Sequence, residues 1–448
     1  MKKQLFIYFS LSTLFLSAQW ADQVSGFPTA ARGINSINIV TADTAWAGAF
    51  DGSAAATFTT NFTKTINGGT VWGPGTITTG VSGVGLANIS AIDASTAWAC
   101  IFHPSQASAA GIWKTVDGGS LWTQQTTAAF VANSFPDFVH FWDANNGIAV
   151  GDPINSYFEV YTTTDGGTIW TRTANTANHL SPSSTAEYGY TNGFSVMGDT
   201  LWFSTTAGRV FKTVDKGFTF TNAIVGNGIT DVQRISFANS TIGYVAMHNP
   251  GNLSYKLART FDGGLNWFSV PTSILILGGD VCAVPGTNAL VAVGSDTTRA
   301  GSAWSSDNGN SWQLMEDTTG APQRTSVKFL NATTGWAGAF NADAFTKGIS
   351  KYTGVAIGVN QKEISKNNIS VYPNPVTEYL NLNLIELGGK KLTIEVFNLI
   401  GAKIYSENFY TEAPVYIKHI NVSNFAKGIY FVQVSDGQSK SVQKFIKE

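Results

Sequence analysis

A nine-residue motif recurs along the first 350 residues of the chain and constrains its fold more than any other feature. In the copy Lys114-Thr-Val-Asp-Gly-Gly-Ser-Leu-Trp122, an aspartate precedes two glycines, and tryptophan follows after two further residues. Six copies occur 45 to 50 residues apart, with the acidic or amide residue at Asn67, Asp117, Asp165, Asp215, Asp262 and Asp307. That spacing is the length of one small antiparallel sheet. The motif therefore predicts a series of similar sheets.

The composition of the motif has a local physical reason. Aspartate or asparagine accepts backbone N–H bonds with its own side chain, while glycine adopts the positive φ that a tight hairpin requires. We therefore interpret the six acidic or amide positions as structural turn residues and not as catalytic groups. The aromatic residue at the end of each copy then starts the next strand.

A second pattern recurs seven times and supplies the other strands. Val327 to Phe340 is typical: an alternating strand, a short polar turn and a strand rich in small residues. The other copies cover 37–50, 89–102, 139–152, 194–205, 235–248 and 281–295. Each unit then has four strands, which is the number in a propeller blade. The last unit lacks a turn motif, and residues 19–24 match an outer strand, so we expect the N-terminal strand to complete it.

The repeated turn resembles the Asp-box (BNR) turn of sialidase-like propellers. A longer stretch, from Gly151 to Tyr161 and on to Gly208-Arg-Val-Phe-Lys212, is similar to bacterial propellers related to the photosystem II assembly factors. These resemblances imply a seven-bladed propeller over residues 19–355, and they imply no defined activity for a secreted member.

The C-terminal residues differ in composition and carry a separate resemblance. After a polar linker at 356–368, the segments Val371-Tyr-Pro-Asn-Pro-Val376, Gly428 to Val434 and Lys444 to Lys447 resemble the type A sorting domain of the type IX secretion system. The resemblance implies that residues 369–448 form a small β-sandwich recognised by that secretion machinery, in a source among the Bacteroidota. The predicted fold class is therefore all-β: a seven-bladed β-propeller closed by the N-terminal strand, followed by a small C-terminal β-sandwich.

The first 18 residues predict the compartment. Two lysines, an apolar run from Leu5 to Leu16 and a small-residue end indicate a signal peptide, and no later segment has the length of a transmembrane helix. We expect a product that crosses the periplasm and is secreted or held at the outer-membrane surface. Only 12% of the residues are charged and the net charge is −2, which argues against a nucleic-acid partner. Cys100 and Cys282 fall in distant units, so we expect no disulfide, and the histidines have no metal-ligand spacing. We expect no cofactor.

Candidate ligand-binding residues fall on one predicted face. Arg32, Arg234 and Arg324 each precede an inner strand, and we expect them to ring one end of the central channel and to bind a carboxylate or sulfate. Loops between second and third strands add His103, Asp152, His248 and Asp343 to the same face. The longest loop, from Thr171 to Asn192, adds His179, Glu187, Tyr188 and Tyr190.

Two functions remain open at this point. The first is a binding or scaffold module for a glycan or protein, and we predict this one. The alternative is a sialidase-like glycoside hydrolase, in which Glu187 with Tyr188 or Tyr190 forms the nucleophile and Asp51 is the acid/base. The Phe-Arg-Ile-Pro motif of sialidases is absent. A hydrolase requires Glu187 in contact with a tyrosine and a carboxylate across an arginine-lined pocket.

Overall fold

The computed structural model divides the chain into two compact units, one up to Gly358 and one from Val359 to Glu448. It describes residues 19–55, 57–104, 110–130, 134–173, 180–249, 254–270, 278–296, 299–317, 320–357, 362–363, 368–385, 387–398, 402–436 and 439–448. The predicted signal peptide and His179 lie outside these residues. Within the described part of the chain, no helix has the length and apolar character needed to cross a bilayer.

The described part of the first unit contains seven antiparallel sheets of four strands, here called sheets 1 to 7. The strand β1 (Trp20–Val24) belongs to sheet 7, together with β26 (Arg324–Asn331), β27 (Thr334–Asp343) and β28 (Thr346–Tyr352). Sheet 1 contains β2 (Arg32–Ile39), β3 (Ala45–Asp51), β4 (Asn61–Thr65) and β5 (Gly73–Thr76). Sheet 2 contains β6 (Gly85–Ala91), β7 (Ala97–Phe102), β8 (Gly111–Thr115) and β9 (Thr123–Gln124).

Sheet 3 contains β10 (Pro136–Phe141), β11 (Gly147–Ile154), β12 (Tyr157–Thr163) and β13 (Thr171–Arg172). Sheet 4 contains β14 (Gly189–Met197), β15 (Thr200–Thr205), β16 (Arg209–Thr213) and β17 (Thr221–Ile224). Sheet 5 contains β18 (Arg234–Phe237), β19 (Gly243–Asn249), β20 (Ser254–Thr260) and β21 (Phe268–Val270). Sheet 6 contains β22 (Gly278–Ala283), β23 (Leu290–Gly294), β24 (Gly301–Ser305) and β25 (Gln313–Leu314).

The first strands of the sheets pack against each other in sequence order. Each of β2, β6, β10, β14, β18 and β22 contacts the first strand of the following sheet, and β26 of sheet 7 contacts β2 of sheet 1. In sheet 7 the outer position is occupied by β1, which pairs antiparallel with β28 from Trp20 opposite Tyr352 to Val24 opposite Gly348. The first and last strands of the unit therefore lie in one sheet.

The repeated motif forms a hydrogen-bonded turn between third and outer strands. Asp117 accepts hydrogen bonds from the Thr115 hydroxyl (2.8 Å) and the Leu121 N–H (3.0 Å), and Gly119 has a φ of +92°. The Leu121 N–H is the main cause of a lowered pKa for Asp117, and the Thr115 hydroxyl adds to it. The same pair of bonds forms at Asn67, Asp165, Asp215, Asp262 and Asp307. The six acidic or amide side chains are thus held by hydrogen bonds within their own turns.

Neighbouring sheets are joined near these turns by a cation on the third strand, here called the cation staple. Lys114 Nζ donates to the Gly166 carbonyl of the following turn at 2.9 Å and lies 4.9 Å from the ring centre of Trp98, which also donates to that carbonyl. The equivalent bonds run from Lys64 to Gly118, from Arg259 to Asn308 and from Lys351 to Gly68. The staple from Lys351 joins sheet 7 to sheet 1.

The two cysteines are buried free thiols on β7 and β22. Cys100 packs in an apolar cluster with Trp98 and Phe141, and Cys282 packs in another with Phe329. Burial raises the pKa of both thiols, so they remain protonated at neutral pH.

The second unit has two sheets around one apolar core. A five-stranded sheet contains β29 (Lys362–Glu363), β36 (Ser439–Lys447), β35 (Gly428–Ser435), β32 (Lys390–Asn398) and β33 (Lys403–Thr411). A three-stranded sheet contains β30 (Ile369–Tyr372), β31 (Tyr379–Ile385) and β34 (Val415–Asn421). Alternate leucines of β31 and the alternate residues Leu392, Ile394 and Val396 of β32 are buried in the same cluster. The period of two in these strands places their apolar faces against each other.

Candidate functional site

The starts of the first strands surround a polar cavity of about 290 Å³, here called the mouth cavity. Five of the seven sheets contribute to it. Its polar lining includes Asn35, Asn192, Arg234, Asp280 and Lys328. Two of these side chains are cationic and one is acidic. The arrangement suits a small polar or anionic group.

Arg234 is the most accessible cation of the mouth cavity. Its Nε donates to the Gly279 carbonyl (3.0 Å) and lies 3.5 Å from Asp280 Oδ1, while Nη1 donates to the Gln233 carbonyl (2.9 Å). The side chain is nevertheless 44% exposed. Asp280 is itself held by the N–H groups of Val281 and Val327. The guanidinium is therefore oriented by fixed acceptors and still faces solvent.

A second cavity of about 410 Å³, here called the inner cavity, continues from the first. Lys328 and Asn192 line both cavities. Asn192 has a φ of +57° in an irregular stretch of β14, and its Nδ2 donates to the Asn35 carbonyl of sheet 1 at 3.1 Å. Asn192 therefore joins sheets 4 and 1 at the boundary between the two cavities.

His140 lines the inner cavity and is neutral. Its Nε2 is buried and has no hydrogen-bond partner among the described residues, and burial lowers its pKa to about 3. The ring packs against Trp142 with centroids 4.8 Å apart. No group of three or more His, Cys, Asp or Glu side chains with the geometry of a metal site occurs in the described ranges.

The three predicted arginines do not act together. Arg32 forms an ion pair with Asp51 at 2.9 Å, and Arg324 is 1% exposed, paired with Glu316 and stacked on Trp20. Neither lines the mouth cavity, whereas Arg234 does. The expectation of an arginine ring is therefore wrong for two of its three members. Each of those two forms an ion pair with a carboxylate of another segment, Arg32 with Asp51 at the end of β3 and Arg324 with Glu316 after β25.

The predicted hydrolase residues are separated by their hydrogen bonds. The Glu187 carboxylate is buried and accepts from Arg209 (2.8 Å) and Thr205 (2.7 Å); burial alone would raise its pKa, but these bonds and one from Ser183 N–H lower it. The Tyr190 hydroxyl donates to Asp231 at 2.5 Å, and its pKa is raised by burial and by that carboxylate. The required contact between Glu187 and the Tyr190 hydroxyl is therefore not made.

Tyr188 and Asp51 fit the hydrolase reading no better. Tyr188 is 47% exposed and lines, together with Glu187, a surface cleft of about 400 Å³. This cleft is separate from the mouth cavity, and the described residues that line it include no arginine. Asp51 accepts from the hydroxyl of Thr57 and from the Ser53 N–H, and these bonds, the Thr57 bond foremost, hold its pKa well below the usual range. A carboxyl group that stays ionised cannot act as a general acid near neutral pH.

Asp152, Asp343 and His103 do not line the mouth cavity, and the side chain of His248 lies outside the described part of the structure. Asp152 is largely buried, accepts from the Gly189 N–H (2.9 Å) and has its pKa raised by burial to about 6. Asp343 is exposed and accepts from the Phe345 N–H (2.7 Å), which is the main cause of its lowered pKa. His103 follows β7, and His248 pairs with Tyr255 in sheet 5. Sequence reasoning missed Lys328 and Asn192. The sequence does mark Lys328, because it is a cation flanked by the apolar residues Val327 and Phe329 in a predicted inner strand.

Comparison with known families identifies the C-terminal part. Residues 370–448 match the secretion system C-terminal sorting domain. The sorting domain implies export through the type IX secretion system to the cell surface or the medium. No curated protein matches the chain in sequence.

Solved structures resemble the repeat unit. A structure of YCF48 bound to D1 peptide has a TM-score of 0.53 and 15% identity, covering 75% of this chain and 97% of its own. YCF48 from Cyanidioschyzon merolae has a TM-score of 0.52 and 15% identity, covering 75% of this chain and 99% of its own. The GH74 enzyme of Niastella koreensis has a TM-score of 0.48 and 12% identity, covering 92% and 65%. At this identity the likeness to YCF48 shows the fold alone, which is a propeller of four-stranded sheets.

Proposed function

We propose that this protein is an exported binding module that holds an anionic group of an extracellular glycan or protein at its mouth cavity. In this proposal residues 19–355 form a seven-bladed propeller that β1 closes, residues 356–368 are a linker, and residues 369–448 form a small β-sandwich. Residues 1–18 direct the chain to the periplasm, and the sorting domain is recognised by the type IX secretion machinery.

The observation that carries the binding function is the placement of Arg234 and Lys328 in one polar cavity at the start of the first strands. Fixed acceptors hold Arg234 in place without covering it, so little side-chain freedom is lost when a ligand binds. The YCF48 structure with a bound D1 peptide supports a binding role, because a protein of the same fold there holds a peptide.

The alternative is a glycoside hydrolase of sialidase-like type. It requires a nucleophile and an acid/base group on either side of a sugar. The bonds from Arg209 to Glu187 and from Tyr190 to Asp231 argue against it, because each candidate group is already paired. The carboxylate of the mouth cavity, Asp280, is also already paired, with the Val281 and Val327 N–H groups and with Arg234 Nε at 3.5 Å.

The experiment is a binding screen of the purified protein against acidic and neutral glycans and acidic and neutral peptides. Loss of one charge-assisted hydrogen bond costs about 1.5–3 kcal/mol, so we expect Arg234→Ala to weaken binding of the acidic ligand by about tenfold or more. Lys328→Ala should act in the same direction.

Lys256→Ala is the matched control, since Lys256 lies on sheet 5 and donates to the Gly228 carbonyl outside the cavity. Equal affinity for all three variants would exclude the mouth cavity as the site. Release of free sugar that depends on Glu187 would favour the hydrolase instead.

A further inference from the structure

The interface between sheets 3 and 4, here called the 3–4 interface, lacks the cation staple. Thr162 and Ile148 occupy the positions that hold lysine and tryptophan in sheet 2. A Cβ at Gly217 of the next turn would lie 2.7 Å from Ile148 Cδ1 and 3.1 Å from Thr162 Cγ2. Small uncharged side chains therefore meet the turn of sheet 4 where a cation meets the turn of other sheets. The charged contact near this turn is the reverse one, from Lys216 of the turn to Asp143 of sheet 3 at 3.5 Å.

The inner strands of the 3–4 interface also lack the hydrogen bonds found at other interfaces. Asn88 bonds both the N–H and the carbonyl of Val139, and Ser195 and Ser236 each accept from the N–H of the following inner strand. Among the described residues, no hydrogen bond joins β10 to β14. Aromatic contacts remain, including Phe138 stacked on Phe194 with centroids 4.3 Å apart.

Two carboxyl groups of sheet 3 converge instead on Gly189, the first residue of β14. Asp152 Oδ1 accepts from the Gly189 N–H at 2.9 Å. Asp137 lies at the register shift of β10, and a Cβ at residue 189 would lie only 2.1 Å from its Oδ2. Asp137 is 2% exposed, and this oxygen has no hydrogen-bond partner in the described structure. Its position fits a carboxyl group that carries a proton.

The electrostatics of the pair agree with this geometry. Burial, and then the Asp152 charge, raise the pKa of Asp137 well above its usual range, and burial raises that of Asp152 to about 6. Among the described residues, the charged group that acts on Asp137 is Asp152, and Asp137 in turn adds to the effect of burial in raising the pKa of the Cys100 thiol of β7. Two buried carboxyl groups that raise each other's pKa titrate as one pair and cannot both ionise without cost.

We infer that the 3–4 interface is a proton-dependent joint, in which a proton held by Asp137 and Asp152 keeps the start of β14 on sheet 3. Loss of that proton places two negative charges beside Gly189 and loosens β14 locally, while the other interfaces keep their bonds. Because β14 also carries Asn192, the joint couples proton release to the boundary between the two cavities. Any effect on ligand affinity rests on the proposed function, whereas the loosening of β14 does not.

The direction with pH follows from the raised pKa values. The native pair binds its proton more tightly than the unfolded chain, whose aspartates titrate near about 3.9. The contribution to stability is therefore complete below that value and is lost as pH rises through the native pKa values, the lower of which is about 6. For one proton, the equilibrium constant for local opening of β14 rises by about tenfold per pH unit.

The test is hydrogen–deuterium exchange of the full chain at pH 5 to 8, expressed as protection factors. We expect residues 189–197 to lose up to about tenfold protection per pH unit above about pH 6, and the inner strands at 86–91 and 234–237 to keep theirs. Asp137→Asn removes the charge and keeps the size, so it should remove the pH response above about pH 6 and leave only that of Asp152, whose pKa burial raises to about 6. Asp343→Asn is the control for loss of one exposed carboxylate and should leave the response unchanged.

Two outcomes would overturn the joint: equal loss of protection in all three strands, or an unchanged response in Asp137→Asn. Should that variant fail to fold, Asp152→Asn tests the same pair and can keep the bond from Gly189. Ligand affinity measured at pH 5 and 8 separates the two proposals. Loosening of β14 without a change in affinity would retain the joint and remove only its link to the mouth cavity.

Discussion

At the scale of residues, the residue type at the first position of the repeated motif depends on the neighbouring sheet and not on the sheet that contains the motif. Lysine or arginine occupies it where the next sheet presents a glycine or asparagine turn that accepts the cation, as for Lys64 and Arg259. The two exceptions are Thr162 and Trp304. The turn after Thr162 contains Lys216, and the sheet after Trp304 has no such turn. A second cation beside Lys216 would be repelled, and a cation at 304 would find no turn carbonyl.

Removing one staple tests its contribution to stability. Lys64 donates to the carbonyls of Ala94 and Gly118, both at 2.9 Å, and lies 4.7 Å from the ring centre of Trp46. Lys64→Met keeps the aliphatic part and leaves the two acceptors without their donor, so we expect the free energy of unfolding to fall by about 1–2 kcal/mol. Chemical denaturation measures the change. Lys256→Met, at an exposed lysine, is the control, and an equal effect in both would contradict the role of the staple.

The exception at Thr162 gives a second prediction at this scale. We expect Thr162→Lys alone to be neutral or destabilising because the new ammonium would lie near Lys216. Combined with Lys216→Gly, it recreates the turn of the other sheets, and the double variant should be more stable than the sum of the single changes by about 0.5–1 kcal/mol. Thermal unfolding of all four proteins measures this coupling. Strict additivity would show that Lys216 does not determine the residue at 162.

Sequence reasoning was strongest where a side chain bonds within its own turn and weakest where its partner is distant. The turn residues could be interpreted from Asp and Gly alone, since Asp117 bonds residues two and four positions away. The burial of Arg324 could not be predicted, because its partner Glu316 lies eight residues earlier in a connection without a recognisable turn motif. Glu187 was proposed as a catalytic group since nothing in its own loop shows that Arg209 neutralises it. Lys328 and Asn192 line the same two cavities only because the first strands of different sheets pack side by side, which no local sequence pattern shows.

At the scale of elements, β1 is the strand whose position was anticipated from pattern alone. Its likeness to the outer strands predicted the pairing that β1 makes with β28. The local irregularity of β14 was not anticipated, because a register shift leaves no mark in an alternating pattern. Asn192 lies within that shifted stretch, at the boundary between the mouth cavity and the inner cavity. Period-two alternation reports which face a residue occupies, but it does not report where a strand bends.

Trp20 provides the test for β1. It is buried, donates to Ser302 Oγ at 2.8 Å and packs against Tyr352 and Phe329 with ring centroids 5.6 and 6.1 Å away. Trp20→Ala leaves a cavity under the strand, so we expect a loss of about 3–5 kcal/mol in the free energy of unfolding. Trp20→Phe keeps most of the packing and should cost much less. Urea denaturation measures both, and similar losses would indicate that the indole hydrogen bond dominates.

At the scale of the whole molecule, the proposed binding site and the sorting domain belong to different units. The proposed ligand site lies in the repeat unit, and the match to the sorting domain lies in residues 370–448. Because the sorting domain is a separate unit, residues of the mouth cavity can change without affecting export.

Deletion of residues 369–448 tests this separation. We expect the truncated protein to remain in the periplasm, whereas the full chain reaches the cell surface or the medium, as measured by immunoblotting of cell fractions. The Lys256→Ala variant of the full chain is the control for altered expression. Equal amounts of truncated and full-length protein outside the cell would show that export does not depend on this domain.

The pairing of β1 with β28 also sets an order of events during folding. Gln19 and Tyr352, 333 residues apart, contact each other, so sheet 7 cannot be completed until the ribosome has made its last strand. Closing a flexible loop of that length costs about 5 kcal/mol in entropy, a cost that falls as the intervening sheets form. We therefore expect sheets 1 to 6 to assemble first and sheet 7 to be completed slowly. β1, which is synthesised before β2 to β28, therefore pairs last. Until it pairs, β28 has an unpaired edge that can form hydrogen bonds with a neighbouring chain.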